Sequence, residues 1–394
     1  MSGRRVLTIN AGSSSLKAAV YLTDGNRSEV RLLRVEASRI GRSGSWLQVL
    51  GADGSRLFDG DQELPDFGAA LDAVVGWTNR PDQPLIPDVV AHRVVHGGSR
   101  YWQTSRVTPE LLAALDALAP IDPQHMPQAI ECIRSMGRTH PELPQVVCFD
   151  TGFHHSMPPV ARTYAIPRRL AQAGIVHYGF HGLSYEYVIQ RLGELEGAAA
   201  SGRVIVAHLG NGASLAALRD GRSVDTSMGF SPMGGLVMGT RCGDLDPGLV
   251  LYLLRHDGLT PDQVSDLLGS QSGLLGVSET SSDMRDLLER EGTDSRAADA
   301  IELFCYHATK YIGAYAAALG GLDILAFTAG IGERAAPIRE RICARLGFLG
   351  LELDPERNRC HERLISTDAS RVKVRIVKTN EELMIARHAS AFVT

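Results

Sequence analysis

The stretch LTINAGSSSLKAAV, from Leu7 to Val20, joins two apolar runs through a cluster of glycine and serine. Strand-forming residues on both sides of such a cluster predict a strand, a tight turn and a second strand. Asn10 stands where an apolar strand residue is expected, and Lys17 follows the turn. A phosphate can accept hydrogen bonds from the N–H groups of such a turn, from the hydroxyls of Ser13 and Ser15 and from a lysine ammonium. A serine-rich surface turn is the alternative, and Asn10 favours the functional interpretation.

A second stretch, VIVAHLGNGASLAAL from Val204 to Leu218, repeats this pattern. With one residue of slippage, Asn10 matches His208 and Ser15 matches Ser214. The repeat predicts that the chain contains two related halves, although chance similarity is the alternative. Strands and helices alternate throughout, which predicts the α/β class, and we expect the domain boundary near residue 150.

Length and composition limit the classes of function. A chain of 394 residues predicts two domains, and a net charge of −5 argues against nucleic acid or an anionic membrane as the main partner. The six cysteines form no CxxC pair, so neither a zinc site nor a disulfide framework is expected. No apolar run approaches about 18 residues and no cleavable leader precedes the first strand, so we expect a cytoplasmic protein without a membrane partner.

The common nucleotide-binding motifs are missing from the sequence. No stretch fits GxxxxGK[ST], and no GxGxxG follows an early strand. Glycine turns whose N–H groups point at the ligand are the other way to hold a polyphosphate. We therefore expect the turns at 12–15 and 210–212 to bind a phosphate chain together.

Two arginines are candidates for binding an anion. Arg93 lies in the valine-rich stretch VVAHRVVHGG, and a buried guanidinium needs an anion. That anion is either a small substrate or an internal aspartate or glutamate. Arg241 lies in a glycine-flanked loop, and two arginines suit phosphoryl transfer, where charge spreads over three oxygens.

Two histidines and three oxygen donors complete the candidates. His125 and His181 stand in turns constrained by proline or glycine, and either a catalytic or a structural role is open. Asp150 ends a predicted buried strand and Glu381 opens the last predicted helix. With Asn10 they are candidates for a magnesium site, although a glutamate there also compensates a helix dipole.

Nine motifs, in order along Leu7 to Arg387, closely resemble those of the acetate kinase family: INAGSSSLK, HRVVHGG, FDTGFHHSMP, YGFHG, HLGNGAS, MGTRCGDLDPG, SSDMRDL, FTAGIGE and TNEELMIAR. The resemblance implies two duplicated ribonuclease-H-like βββαβαβα domains, the actin-like ATPase or acetokinase fold, with a central ATP cleft. Residues 1–150, joined by the final helix at about 382–394, would form the N-terminal lobe. Residues 151–381 would form the nucleotide-binding and dimerisation lobe.

The resemblance also implies a reaction and its partners. ATP and a short carboxylate, acetate by preference, would give ADP and acetyl phosphate reversibly, with Mg²⁺ or possibly Mn²⁺. The family is homodimeric. Propionate, butyrate or another short-chain acid is the alternative acceptor within this class, and another actin-like-fold sugar kinase or ATPase is the alternative outside it.

Matching motif positions imply roles for individual residues. Asn10 and Glu381 match the metal site, and Arg93 matches the group that grips the carboxylate. Asp150 matches the catalytic aspartate; because a carboxylate acceptor is already ionised at neutral pH, we expect Asp150 to orient water or magnesium rather than to act as a base. The remaining catalytic matches are His125, His181 and Arg241.

The other implied contacts fall into two sets. The pocket for the acyl tail matches Val95, Phe180 and Pro232, but Gln124 and Met126 depart from the residues usual beside the family's histidine. The nucleotide site matches Lys17, Ser13, Ser15, His208, Leu209, Gly210, Asn211, Gly212, Asp283, Met284, Arg285, Gly330, Ile331, Gly332, Glu333 and Arg334.

Overall fold

The computed structural model describes residues 3–23 and 29–392. The chain divides into two compact units. Unit 1 runs to Gly152 and includes the chain from Asn380 onward, and unit 2 comprises Phe153–Thr379. Asn380 and Glu381, which we assigned to the second lobe from the sequence, thus lie in unit 1, because the helix they begin packs on strands of that unit.

Unit 1 is built on one mixed sheet. Its strands are β1 (Arg4–Ala11), β2 (Ser15–Thr23), β3 (Glu29–Ser38), β4 (Trp46–Gly51), β5 (Arg56–Asp61), β6 (Val89–Val94), β7 (Ser105–Arg106) and β8 (Gln145–Phe149). Their order across the sheet is β5-β4-β3-β2-β1-β6-β8-β7. The hairpin of β1 and β2 confirms the strand, turn and strand predicted from the opening stretch.

Unit 2 has a smaller sheet. Its strands are β9 (Val204–Leu209), β10 (Ala213–Arg219), β11 (Arg222–Thr226), β12 (Ile324–Thr328) and β13 (Lys373–Ile376), in the order β11-β10-β9-β12-β13.

The two sheets share one strand arrangement. In unit 1, β3, β2 and β1 are antiparallel neighbours, and β6 and β8 continue the sheet parallel to β1. In unit 2, β11, β10 and β9 are antiparallel, and β12 and β13 continue parallel to β9. The hairpins that repeat in sequence occupy the same place in both sheets, which supports the predicted duplication.

The described helices follow the signals in the sequence. They are α1 (Phe67–Thr78), α2 (Pro109–Leu118), α3 (Met126–Thr139), α4 (Pro159–Arg162), α5 (Arg168–Gln172), α6 (Gly182–Glu196), α7 (Pro247–Arg255), α8 (Pro261–Ser270), α9 (Gly273–Ser278), α10 (Met284–Arg290), α11 (Ser295–Leu319), α12 (Ala329–Arg334), α13 (Ala336–Ala344), α14 (Pro355–Arg359) and α15 (Glu381–Ser390). The Thr108 side chain caps α2 by accepting from the N–H of Leu111, and Asn380 caps α15 in the same way. None of these helices is long and apolar enough to cross a membrane.

Two buried histidines couple stability to pH. His92 on β6 and His154 in unit 2 are at most 1% exposed, and burial lowers the pKa of each to about 4. Between pH 6.5 and 4 these two histidines are therefore protonated in the unfolded chain but remain neutral in the folded chain. The contribution of these histidines to the free energy of unfolding should be complete above pH 6.5. Between pH 6.5 and 4 that free energy should fall by about 1.4 kcal/mol per pH unit for each histidine.

Thermal unfolding followed from pH 7.5 to 4.5 checks this expectation. His92→Gln and His154→Gln should each flatten the dependence of the melting temperature on pH. An unchanged dependence in both buried variants would contradict the assignment.

Candidate functional site

In unit 1, four predicted site residues form one hydrogen-bonded cluster. Because β1, β6 and β8 are parallel, their carboxyl ends meet at one edge of the sheet and bring Asn10, Arg93 and Asp150 together. Arg93 Nε lies 3.0 Å from Asp150 Oδ1, and its Nη2 contacts Asp150 Oδ2. Arg93 Nη1 donates to Asn10 Oδ1 at 3.0 Å, and Asn10 Nδ2 donates to Glu381 Oε2 at 3.2 Å. Of the two partners left open for Arg93, this structure shows the internal aspartate.

This cluster contains more negative than positive charge. Asp150 is 1% exposed, and Glu381 Oε2 lies 4.0 Å from Arg93 Nε. Burial lowers the pKa of Arg93, but Asp150 and Glu381 raise it, and the net pKa lies above the usual value. Burial raises the pKa of Glu381 and Arg93 only partly offsets this. Arg93 and Lys17 together do not offset the burial of Glu381, whose pKa stays above its usual value.

The oxygen donors of this cluster fit a magnesium ion. Carboxylate and amide oxygens are hard ligands, and Mg²⁺ bound to a nucleotide needs only one or two from the protein. Within the described residues, no group of three or more histidine, cysteine, aspartate or glutamate side chains could hold a metal. The incomplete neutralisation at Glu381 and the oxygens of Asn10 and Asp150 match an ion that brings water and phosphate as its other ligands.

The first hairpin places Lys17 beside the cluster. Lys17 is the cross-strand partner of Asn10, so their side chains leave the same face, and its ammonium lowers the pKa of Glu381. In the turn, Gly12 N–H donates to Ser15 O at 2.8 Å, while Ser13 is exposed. The turn thus presents serine side chains near a lysine, as the sequence predicts.

His125 is held by an aspartate that sequence reasoning missed. Its Nδ1 lies 3.0 and 3.1 Å from the two carboxylate oxygens of Asp122, which is 4% exposed. The signal was the spacing in DPQH, which puts a carboxylate three residues before the histidine in the turn that starts α3. Among the acyl-pocket candidates, Val95 and Met126 are buried and Gln124 is half-buried.

In unit 2, His181 is fixed by several neighbours. It precedes α6 with φ of 59°, a left-handed conformation that is uncommon outside glycine. Its ring stacks on His208 with centroids 4.1 Å apart. Its Nδ1 lies 2.8 Å from Ser214 Oγ, and His208 Nδ1 lies 2.8 Å from Ser184 Oγ. Ser214 could have been predicted from the sequence, because the repeat aligns it with Ser15.

Arg241 and His181 converge on the turn at 210–212. A Cβ added to Gly212 would lie 2.7 Å from Arg241 Nη2 and 3.4 Å from His181 Nε2. Arg241 Nη1 donates to the carbonyl of Pro232 at 2.8 Å. Pro232 and the buried Phe180, both predicted for the acyl pocket, belong to this unit. Because Gly212 has no side chain, the Arg241 guanidinium and the His181 imidazole both fit against the turn.

Gly212→Ala should therefore lower kcat with little effect on folding. The new methyl group forces the Arg241 guanidinium away, and misplacement of about 1 Å can cost about a hundredfold in rate. Steady-state kinetics and the melting temperature check this. Gly193→Ala, on an exposed face of α6 with open space around the new methyl group, is the matched control and should keep full activity. Full activity in Gly212→Ala would contradict the placement of Arg241.

A cavity of about 450 Å³ opens in unit 2. Its volume lies within the range of small-molecule sites. Eight predicted nucleotide residues line it: Gly210, Asn211, Asp283, Met284, Arg285, Gly330, Ile331 and Arg334. Four residues that were not predicted also line the cavity: Ser282, which lies inside the motif SSDMRDL, and Leu288, Ala335 and Pro337, which flank the motifs.

Other predicted nucleotide residues of unit 2 do not line this cavity. Leu209 and Gly332 are buried. Glu333 Oε1 accepts from the N–H groups of Ala329, at 3.0 Å, and Thr379, at 3.1 Å. Ala329 has φ of 63°, so this carboxylate secures the turn that enters α12.

Comparison with known proteins settles the family. The model of the acetokinase family matches residues 5–387. This chain belongs to the acetokinase family. An acetate kinase of Rhodopseudomonas palustris is 46% identical over 97% of both chains, and one of Dictyoglomus turgidum is 42% identical over 97% of this chain and 96% of its own. These matches confirm the family and the kinase class inferred from the nine motifs.

Solved acetokinase-family structures confirm the fold. The acetate kinase of Porphyromonas gingivalis matches with a TM-score of 0.86 at 34% identity, covering 99% of this chain and 100% of that one. A propionate kinase of Francisella tularensis matches with a TM-score of 0.90 at 35% identity, covering 98% and 99%. The predicted α/β class and its duplicated acetokinase domains are therefore correct.

Proposed function

We propose that this acetokinase-family chain transfers the γ-phosphoryl group of ATP to acetate, giving acetyl phosphate and ADP, in a reversible reaction. The observation that carries this proposal is in unit 2. The turn at 210–212 contributes to a cavity lined by the predicted nucleotide residues, and His181 and Arg241 lie against the same turn. A nucleotide in the cavity would place phosphates near an arginine and a histidine.

Unit 1 supplies the groups for the carboxylate. Arg93 binds the acetate carboxylate through guanidinium N–H groups that its bonds to Asp150 do not use. Acetate arrives ionised, so no base is needed. One acetate oxygen forms a bond to the γ-phosphorus as the bond to the β,γ-bridging oxygen breaks, and ADP leaves with that electron pair. Asp150 orients water or the cation and keeps Arg93 in place.

Unit 2 stabilises the charge that develops on the transferring group. His181 and Arg241 donate hydrogen bonds to its equatorial oxygens, which is the main source of catalysis in phosphoryl transfer. Bound Mg²⁺ would neutralise phosphate charge, held by Asn10 and Glu381 with Asp150 near them. Mn²⁺, which prefers the same oxygen ligands, should substitute for it.

Acetate is the proposed acceptor, with propionate as the second candidate. The curated relatives, at 42–46% identity, are named acetate kinases, whereas one solved structure at 35% identity is a propionate kinase. One methylene in an apolar pocket changes selectivity by only about 1–3 kcal/mol, so family membership alone does not separate the two acids. The half-buried Gln124 is the departure most able to shift the preference.

We also propose that a second copy of this chain covers α7. None of the nine residues of α7 is buried, and Leu249, Leu251 and Tyr252 are 42–50% exposed. Leu249 and Tyr252 are three positions apart and share one side of the helix, and monomeric proteins rarely leave large apolar patches in water. Light scattering should give the mass of a dimer, and Leu249→Glu should give the monomer; a monomeric parent chain would refute this proposal. We assign the dimer to the cytoplasm.

The function is tested by ³¹P NMR of the chain with MgATP and acetate. Acetyl phosphate and ADP should appear in equal amounts, and acetyl phosphate with MgADP should regenerate ATP. Arg241→Ala should suppress both directions, and removal of the divalent cation with EDTA should do the same. Release of inorganic phosphate alone would make the chain an ATPase and would refute the proposal.

A further inference from the structure

Tyr185 and Ser214 are two buried residues behind His181 to which the motifs assign no role. Tyr185 lies on α6 and Ser214 on β10, and both are 0% exposed. Ser214 Oγ lies 2.5 Å from Tyr185 Oη and 2.8 Å from His181 Nδ1. The serine hydroxyl therefore joins the phenol to the imidazole in one chain of hydrogen bonds.

The direction of these hydrogen bonds follows from proton count and acidity. A serine hydroxyl carries one proton and donates one hydrogen bond. A phenol is the more acidic hydroxyl, which favours Tyr185 as the donor in its short bond to Ser214. Ser214 then directs its own proton at Nδ1 of His181. A neutral imidazole that accepts at Nδ1 carries its proton on Nε2.

Nε2 is the ring nitrogen that faces the site. It lies 3.4 Å from the position of a Cβ added to Gly212, and Arg241 Nη2 lies 2.7 Å from the same position. Arg241 on its loop and His208 on β9 are titratable groups that lie near His181 in unit 2. Phosphoryl oxygens only accept hydrogen bonds, so an N–H at Nε2 stabilises them and a lone pair there would repel them.

We propose that Tyr185 and Ser214 are positioning residues that hold His181 as the neutral tautomer with its proton on Nε2. This rests on the proposed function, because it explains how His181 becomes a donor in phosphoryl transfer. The same bonds help to hold His181 in its left-handed conformation. The tautomer is a property of the folded chain and can be measured without turnover.

The test combines histidine NMR with kinetics. Long-range ¹H–¹⁵N spectra of the ¹⁵N-histidine-labelled chain, with the His181 signals identified by their loss in His181→Gln, should show the proton on Nε2. In Ser214→Ala the spectrum should shift towards the Nδ1-protonated form, and kcat should fall about tenfold while the KM values stay within about twofold. Tyr185→Phe should act in the same direction. Tyr187→Phe, two residues further along α6, is the matched control and should leave spectrum and kinetics unchanged.

The outcomes separate this inference from the proposed function. A proton on Nδ1 in the parent chain, or an unchanged tautomer in Ser214→Ala, would overturn the inference whatever the activity. Full kcat in His181→Gln would instead refute the role of His181 while leaving the tautomer measurement valid. Melting temperatures show whether the variants fold. If Ser214→Ala does not fold, Tyr185→Phe is the smaller change and still provides the test.

Discussion

Asp150→Asn should lower kcat by about a hundredfold to a thousandfold while the KM for acetate stays within about threefold. The substitution keeps the size of the side chain but removes the charge that is paired with Arg93 in a buried position. The amide presents only one acceptor oxygen, so Arg93 and any bound cation lose part of their support. Initial rates of acyl phosphate formation measured against acetate give both constants.

An exposed pair provides the control for Asp150. Asp116 pairs with Arg134 at 2.6 Å, with about half of each side chain exposed. Asp116→Asn should therefore leave kcat and KM unchanged. If Asp150→Asn raised KM and kept kcat, the division of roles between Asp150 and Arg93 would be wrong.

Arg93→Ala should raise the KM for acetate by about a hundredfold and should also destabilise unit 1. Loss of the guanidinium removes the proposed partner of the carboxylate, and a hydrogen bond to a charged group contributes about 1.5–3 kcal/mol. It also leaves Asp150 buried without its cation, and breaking a buried pair in this way costs about 3–5 kcal/mol. Kinetics at saturating ATP and the melting temperature measure the two effects.

A double variant separates binding from folding. Arg93→Ala with Asp150→Asn removes both charges, so the melting temperature should recover part of the loss while the KM for acetate stays high. Arg134→Ala, which breaks the exposed pair with Asp116, should change neither quantity. An unchanged KM in Arg93→Ala would show that Arg93 serves only to hold Asp150.

Local features of the fold could be predicted because neighbouring residues decide them. The hairpin of β1 and β2 follows from apolar runs around a Gly/Ser cluster, and α2 begins where Thr108 and Pro109 provide a cap and a first turn. The end of α11 follows from Gly320, which takes φ of 71°. Each of these signals acts within a few residues of the chain.

The pairing within the site could not be predicted, because it depends on residues far apart in sequence. Arg93 and Asp150 are 57 positions apart, and the sequence left open whether Arg93 faces a substrate or an internal carboxylate. The register of β6 against β8 decides this by placing Arg93 beside Cys148, two residues before the aspartate. Tyr185 and Ser214 are 29 positions apart, and they meet because α6 packs beside the β9–β10 hairpin.

We propose above all that the chain phosphorylates a short carboxylate, with acetate preferred. The most direct measurement is hydroxylamine-trapped acyl phosphate formation with MgATP across formate, acetate, propionate, butyrate, lactate and glycolate, compared as kcat/KM. We expect the highest kcat/KM for acetate. A higher value for propionate, or for a hydroxylated acid, would contradict it and make Gln124 the residue to exchange; no acyl phosphate from any acid would refute the proposed reaction.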